Sequence, residues 1–144
     1  MKATVEIRTN VYPEALRTTA IREEKGGIIS YKWVEKRSAE EKESLYELIL
    51  DTRRNKATVK RSGNIKSELE FKAGEETLGG IYTFYGLIPV KIITEQMNMP
   101  SAMSETFEMT YRLNSGDDEL VKNTFSLKRL LQNQTVNVLS VSIV

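Results

Sequence analysis

The strongest constraint on this chain is an alternation of apolar and polar residues with period two, cut into short runs by turn residues. Val5 and Ile7 alternate with Glu6 and Arg8. Ile65, Leu69 and Phe71 share a face opposed by Lys66, Glu68, Glu70 and Lys72, and Ile88, Val90 and Ile92 share another. Phe107, Met109, Tyr111 and Leu113 alternate with Thr106, Glu108, Thr110 and Arg112, and Val121, Phe125 and Leu127 oppose Lys122, Thr124 and Lys128. Successive strand side chains point to opposite faces, so each run makes a ribbon with one apolar side. One face on a core and one in water is the usual condition of an antiparallel sheet.

Turn chemistry recurs between the runs: Tyr12-Pro13-Glu14-Ala15, Gly26-Gly27, Arg54-Asn55, Gly63-Asn64, Ala73-Gly74, Tyr85-Gly86 and Asn114-Ser115-Gly116-Asp117. The pattern predicts strands over 3–11, 17–25, 28–36, 45–52, 56–62, 65–72, 77–83, 87–96, 104–113 and 120–130. Short links make neighbours in sequence neighbours in space, which describes an up-and-down meander. A meander of about 8–10 strands has two exposed edges unless it closes. The expected fold is therefore all-β: a closed antiparallel up-and-down barrel of the calycin or lipocalin kind. One segment competes, because Ser38-Ala39-Glu40-Glu41 fits a helix-capping box. Leu45, Tyr46, Leu48, Ile49 and Leu50 would be apolar nearly all round a helix, so 37–44 is read as a charged loop or short helical turn before a strand.

The chain of 144 residues is one domain's worth, 1–144. It has no Cys and no His. Disulfides, thiolate nucleophiles, Ser-His-Asp catalysis and every Cys- or His-ligated metal site are thereby excluded from the sequence. Lys and Arg number 21 against 20 Asp and Glu, a net charge of +1, without the basic excess of a dedicated nucleic-acid binder. Charges near the N-terminus leave no hydrophobic core for a signal peptide. The uncharged stretch 130–144 falls short of the ~20 apolar residues of a spanning helix. A cytoplasmic protein with no membrane span, metal or cofactor is expected. The run Arg53-Arg54-Asn55-Lys56 reads as a solvated turn.

Val59-Lys60-Arg61-Ser62-Gly63, then Leu69-Glu70-Phe71 and Gly74, then Tyr82-Thr83-Phe84-Tyr85-Gly86-Leu87-Ile88-Pro89-Val90 resembles the YwiB-like family of small bacterial proteins. Tyr31, Thr94 and Tyr111-Arg112-Leu113 sit where that pattern would place them. The resemblance covers roughly residues 28–130 and implies a calycin-like barrel of unknown function. It brings no catalytic residues. The chain departs from the pattern at Lys32-Trp33, where the family often has acidic residues, and at Phe84, where it often has a turn proline. The tail 132–144 has no counterpart in it.

Several residues have both a structural and a functional reading. Arg61 shares the inward face of Val59, and its planar fork suits a carboxylate or phosphate; alternatively its stem packs while its head reaches solvent. Trp33, Tyr82 and Tyr111 are its candidate companions in ligand binding. Phe84 and Tyr85, at a hairpin tip, are read first as a plug folded over the barrel end and second as an aromatic clamp. Met97, Met99 and Met103 belong to a methionine-rich segment, which fills core gaps or forms an adaptable lid at the mouth. Gly79-Gly80 marks a bend or a close approach within a strand, and Pro89 a bulge or a ladder position that needs no N–H. Asp117-Asp118-Glu119 reads as a solvated turn rather than a cation site. Residues 135–144, TVNVLSVSIV, would aggregate if exposed, so 134–144 is expected to add a strand or to bridge to a second subunit.

Two functions follow from different premises. The first is a non-enzymatic binder of a small, mostly apolar or amphipathic ligand in or at the mouth of the barrel. The second is a filled barrel acting through oligomerisation or a protein partner. An enzyme ranks last, since Lys91 and Glu95 both point away from the core face and form no compelling pair.

Overall fold

The structure, a computed structural model, describes residues 1–36, 39–40, 42–63, 65–114 and 121–130. Its strands are β1 (Lys2–Thr9), β2 (Leu16–Lys25), β3 (Ile28–Glu35), β4 (Ser44–Asp51), β5 (Lys56–Ser62), β6 (Lys66–Lys72), β7 (Glu76–Thr83), β8 (Gly86–Asn98), β9 (Thr106–Asn114) and β10 (Val121–Leu130). Each pairs antiparallel with the next, and β1 pairs with β10. The result is a closed, ten-stranded, all-β up-and-down barrel. The β2–β3 hairpin illustrates how turn chemistry sets it up: Gly26 and Gly27 both take positive φ, 62° and 82°, as a two-residue turn between twisted strands requires.

Chain direction gives the barrel two distinct ends. The β1–β2, β3–β4, β5–β6, β7–β8 and β9–β10 links lie at one end, here the mouth. The chain start and the other links lie at the opposite end, the floor. Inward residues form rings through the strand register. Ile29, Leu50, Ala57 and Phe71 are successive cross-strand partners near the floor. Tyr31, Leu48, Val59 and Leu69 make the next ring, and Trp33, Tyr46, Arg61, Ser67 and Ile81 the one nearer the mouth. The floor half is packed solid: Ala20, Ile29, Tyr31, Leu48, Leu50, Ala57, Phe71 and Phe107 are all buried. Full burial of each large apolar side chain contributes about 1.5–3 kcal/mol.

The outer face carries cross-strand ion pairs, including Lys32–Glu47 at 3.5 Å, Lys56–Glu70 at 3.1 Å and Lys91–Glu76 at 3.4 Å. Glu95 pairs separately with Arg112, so Lys91 and Glu95 serve different partners. In β8 a bulge between Thr94 and Gln96 admits Glu95 as an extra residue. Val90, Ile92 and Thr94 point inward before it and Met97 after it, so the bulge keeps one long strand in phase with the core. Among the described residues Pro89 lies beyond the last β8–β9 pair, Lys91 with Asn114.

The structure departs from the sequence-based expectations in places. Ile65 and Ile88 share core faces but sit at strand ends near the mouth, and both are exposed. Residues 39–40 form a turn, and no helix occurs among the described residues. The tail 134–144 and Asp117-Asp118-Glu119 lie outside the described residues; the ring of strands closes without the tail.

Candidate functional site

Above the packed floor, the mouth half of the barrel is hollow. The cavity has a volume of about 380 Å³. Its lower wall is apolar, with Ile7, Leu69, Phe71, Met109 and Phe125. Tyr111 stands edge-on to Phe71, with ring centroids 4.8 Å apart. Burial raises the Tyr111 phenol above its ordinary pKa, so it stays a neutral donor across the physiological range. Among the described residues its hydroxyl makes no hydrogen bond. The buried Thr9 Oγ1 in the same wall likewise has no partner there. Val11, Tyr12 and Ile65 stand at the rim.

One side of the upper wall is a stack of planar groups. Trp33 and Tyr46 are cross-strand partners on β3 and β4, with centroids 5.5 Å apart and planes 6° from parallel. Tyr46 and Arg61 are partners on β4 and β5, and the guanidinium lies 5.4 Å from the Tyr46 centroid. The order Trp33, Tyr46, Arg61 is therefore written by register, one group per strand. Arg61 Nε and Nη2 donate to Ser44 Oγ at 3.4 and 3.3 Å. Trp33 Nε1 donates to Glu35 Oε1 at 3.3 Å.

Of the residues predicted to bind together, Trp33, Arg61 and Tyr111 line this one cavity. Tyr82 does not. It points outward, half exposed, with the Lys66 ammonium 5.7 Å from its ring, and Ile81 takes the inward place. The proposed plug is also corrected: Phe84 and Tyr85 are 98 % and 97 % exposed and touch each other edge-on at 5.7 Å. β7 runs to Thr83, which carries the tip into solvent rather than over the opening. Met97, Met99 and Met103 lie at the floor, the end opposite Phe84 and Tyr85, so the two groups cannot form one lid. Met97 is buried, Met99 packs against the core, and Met103 is exposed on the β8–β9 loop. Tyr46 is the site residue that the sequence reading misses, because by pattern it is only one more apolar strand residue.

The floor is fastened by a second feature with no counterpart in the sequence reading. Glu105 accepts from Arg22 Nε at 2.6 Å, from the Tyr31 hydroxyl at 3.1 Å and from Arg129 Nη1 at 2.9 Å. Burial works to raise the Glu105 pKa, but Arg129, Arg22 and Tyr31 together hold it below the usual carboxylate range. One carboxylate thus joins β2, β3, β10 and the start of β9 beneath the core.

The protein-family comparison matches residues 13–127 to a domain of unknown function, DUF1934. No curated protein matches the chain. Among solved structures, the crystal structure of the ywiB protein from Bacillus subtilis is similar at a TM-score of 0.58 and 15 % identity, over 90 % of this chain and 89 % of that one. At that identity the likeness speaks to fold alone, and it agrees with the closed barrel. The family match spans most of the chain, and the chain belongs to the DUF1934 family of YwiB-like β-barrel proteins.

Proposed function

We propose that this barrel is a non-enzymatic binder of one small, mostly apolar ligand, held in the cavity at its mouth. The observation that carries the reading is the cavity: about 380 Å³, apolar below and edged by a few polar groups above. That volume is within the ~300–1,000 Å³ range of small-molecule sites, and the mixture of wall groups is of the same kind. Geometry supplies a reason for the hollow. Barrel diameter grows with strand number, and side chains just fill a barrel of ~8 strands. Ten strands leave space that Trp33, Tyr46 and Arg61, drawn into a wall stack, do not occupy. The Tyr111 hydroxyl, unpartnered among the described residues, suits a ligand or water acceptor. Binding rather than turnover is the simpler use of Glu35, Arg61 and the Tyr111 phenol. A filled barrel acting only through its surface fits the hollow less well.

The test uses Trp33, the chain's single tryptophan, which lines the cavity. Titration with 1-octanol should change Trp33 emission saturably, at one ligand per chain by calorimetry. Val59→Phe, which adds bulk to the cavity wall, should weaken binding at least several-fold. Emission that never saturates, together with no calorimetric binding, would sink the reading.

A further inference from the structure

We infer that the cavity selects a short amphiphile that ends in a carboxylate, lying apolar end down with its head at Arg61. The inference rests on the binding reading above and adds the chemical class and direction of the ligand. Three observations carry it. First, Arg61 is an inward arginine without an anion. Arg8, Arg17, Arg22, Arg54, Arg112 and Arg129 each pair with a carboxylate. Arg53 makes no such pair among the described residues, but it is exposed on the β4–β5 turn. Arg61 has no ion-pair partner among the described residues either, yet it lines the cavity, and its acceptor there is the neutral Ser44 hydroxyl, at 3.3–3.4 Å. Stacked on Tyr46, the guanidinium is already oriented, with N–H donors to spare for the bidentate geometry a carboxylate accepts.

Second, the polar groups are arranged asymmetrically. Ser67, the register partner of Arg61 on β6, lines the same cavity. Glu35, a carboxylate in the same wall, is the register partner of Ser44. Arg61, Ser67 and Glu35 thus gather toward the mouth, and the wall below them is apolar. Third, the volume sets the length. The cavity measures about 380 Å³. At ~30 Å³ for each water-sized unit, it holds roughly a dozen non-hydrogen atoms. That admits an eight-carbon carboxylate and is too small for a long-chain fatty acid.

Calorimetry on the full chain with octanoate, 1-octanol and palmitate tests this near neutral pH. Octanoate should bind at least tenfold more tightly than 1-octanol, and more tightly than monomeric palmitate. Arg61→Met, which retains an apolar stem, should erase the octanoate advantage, bringing the ratio of octanoate to 1-octanol affinity to within about twofold of one. If 1-octanol binds as well as octanoate to the unaltered chain, the carboxylate assignment is overturned while the binding reading stands. If palmitate binds as tightly as octanoate, the short-chain assignment is overturned. If none of the three binds, both readings fail. The comparison within the unaltered chain decides the carboxylate question even if the variant folds poorly.

Discussion

At the scale of single residues, neighbouring positions with the same side chain can have different duties. Gly79 and Gly80 are adjacent on β7. A Cβ at Gly79 would meet the Glu68 carbonyl oxygen and Leu69 Cδ2, each at 2.8 Å. The backbone oxygen cannot retreat without disturbing β6. At Gly80 the close atom is Leu87 Cδ1, at 2.7 Å, the movable end of an exposed side chain. Gly79→Ala should therefore lower stability by about 1–3 kcal/mol and Gly80→Ala by less than ~1 kcal/mol, read from urea midpoints. Equal effects would contradict the assignment of the glycine requirement to close approach of β6. The same pair explains why Tyr82 is misplaced from sequence. Two residues without side chains erase the alternation just before it, so the face of Tyr82 is not legible.

At the scale of elements, the barrel's floor depends on a clasp between strand ends. Glu105 links Arg22 and Tyr31, neighbours on the β2–β3 hairpin, to Arg129 on β10, about a hundred residues away. Its depressed carboxyl pKa makes a stabilising contribution that is complete above the unfolded-state value and is lost as pH falls through the folded one. Tyr31 behaves in the opposite sense. Burial is the main cause that pushes its phenol up to about 12. Its contribution is complete below the ordinary value near 10 and disappears as pH rises toward the folded one. Stability should therefore fall at both the acid and the alkaline extreme. Glu105→Gln should cost about 2 kcal/mol near neutrality, the scale of hydrogen bonds to charged groups, and flatten the acid limb of a plot of midpoint against pH. An unchanged acid limb would contradict the clasp. A signal for it exists in the sequence: Arg22, Glu105 and Arg129 fall on the inward parity of Ala20, Phe107 and Leu127, one step beyond the core. Strand identities are legible because alternation and turn chemistry agree, as in β5, where predicted and observed bounds coincide at 56–62. What the alternation does not convey is which strand ends meet across the barrel. That depends on closure and register.

At the scale of the whole molecule, the barrel is asymmetric along its axis, packed at the floor and hollow at the mouth. The direction of β8 alone separates Phe84 and Tyr85 from the methionines. That strand has 13 residues, Gly86–Asn98. At the usual rise of an extended chain it spans roughly 40 Å, so the two groups belong to opposite ends. Arg61 and Trp33 are legible as inward because Val59 and Tyr31 define their faces. Their meeting through Tyr46 is not, since stacking requires the β3–β4–β5 register. The hollow opens at the mouth, and its apolar lower wall is the surface a bound ligand would take out of water. Methyl-resolved NMR during an octanoate titration locates such a ligand. Shifts should concentrate at Ile7, Val59, Leu69 and Ile81 around the cavity, with Leu50 and Ile29 near the floor and Leu78 on the outer face unmoved. Shifts led by Leu78 and Leu87 on the outside of the β7–β8 hairpin, or no shifts at all, would contradict that placement.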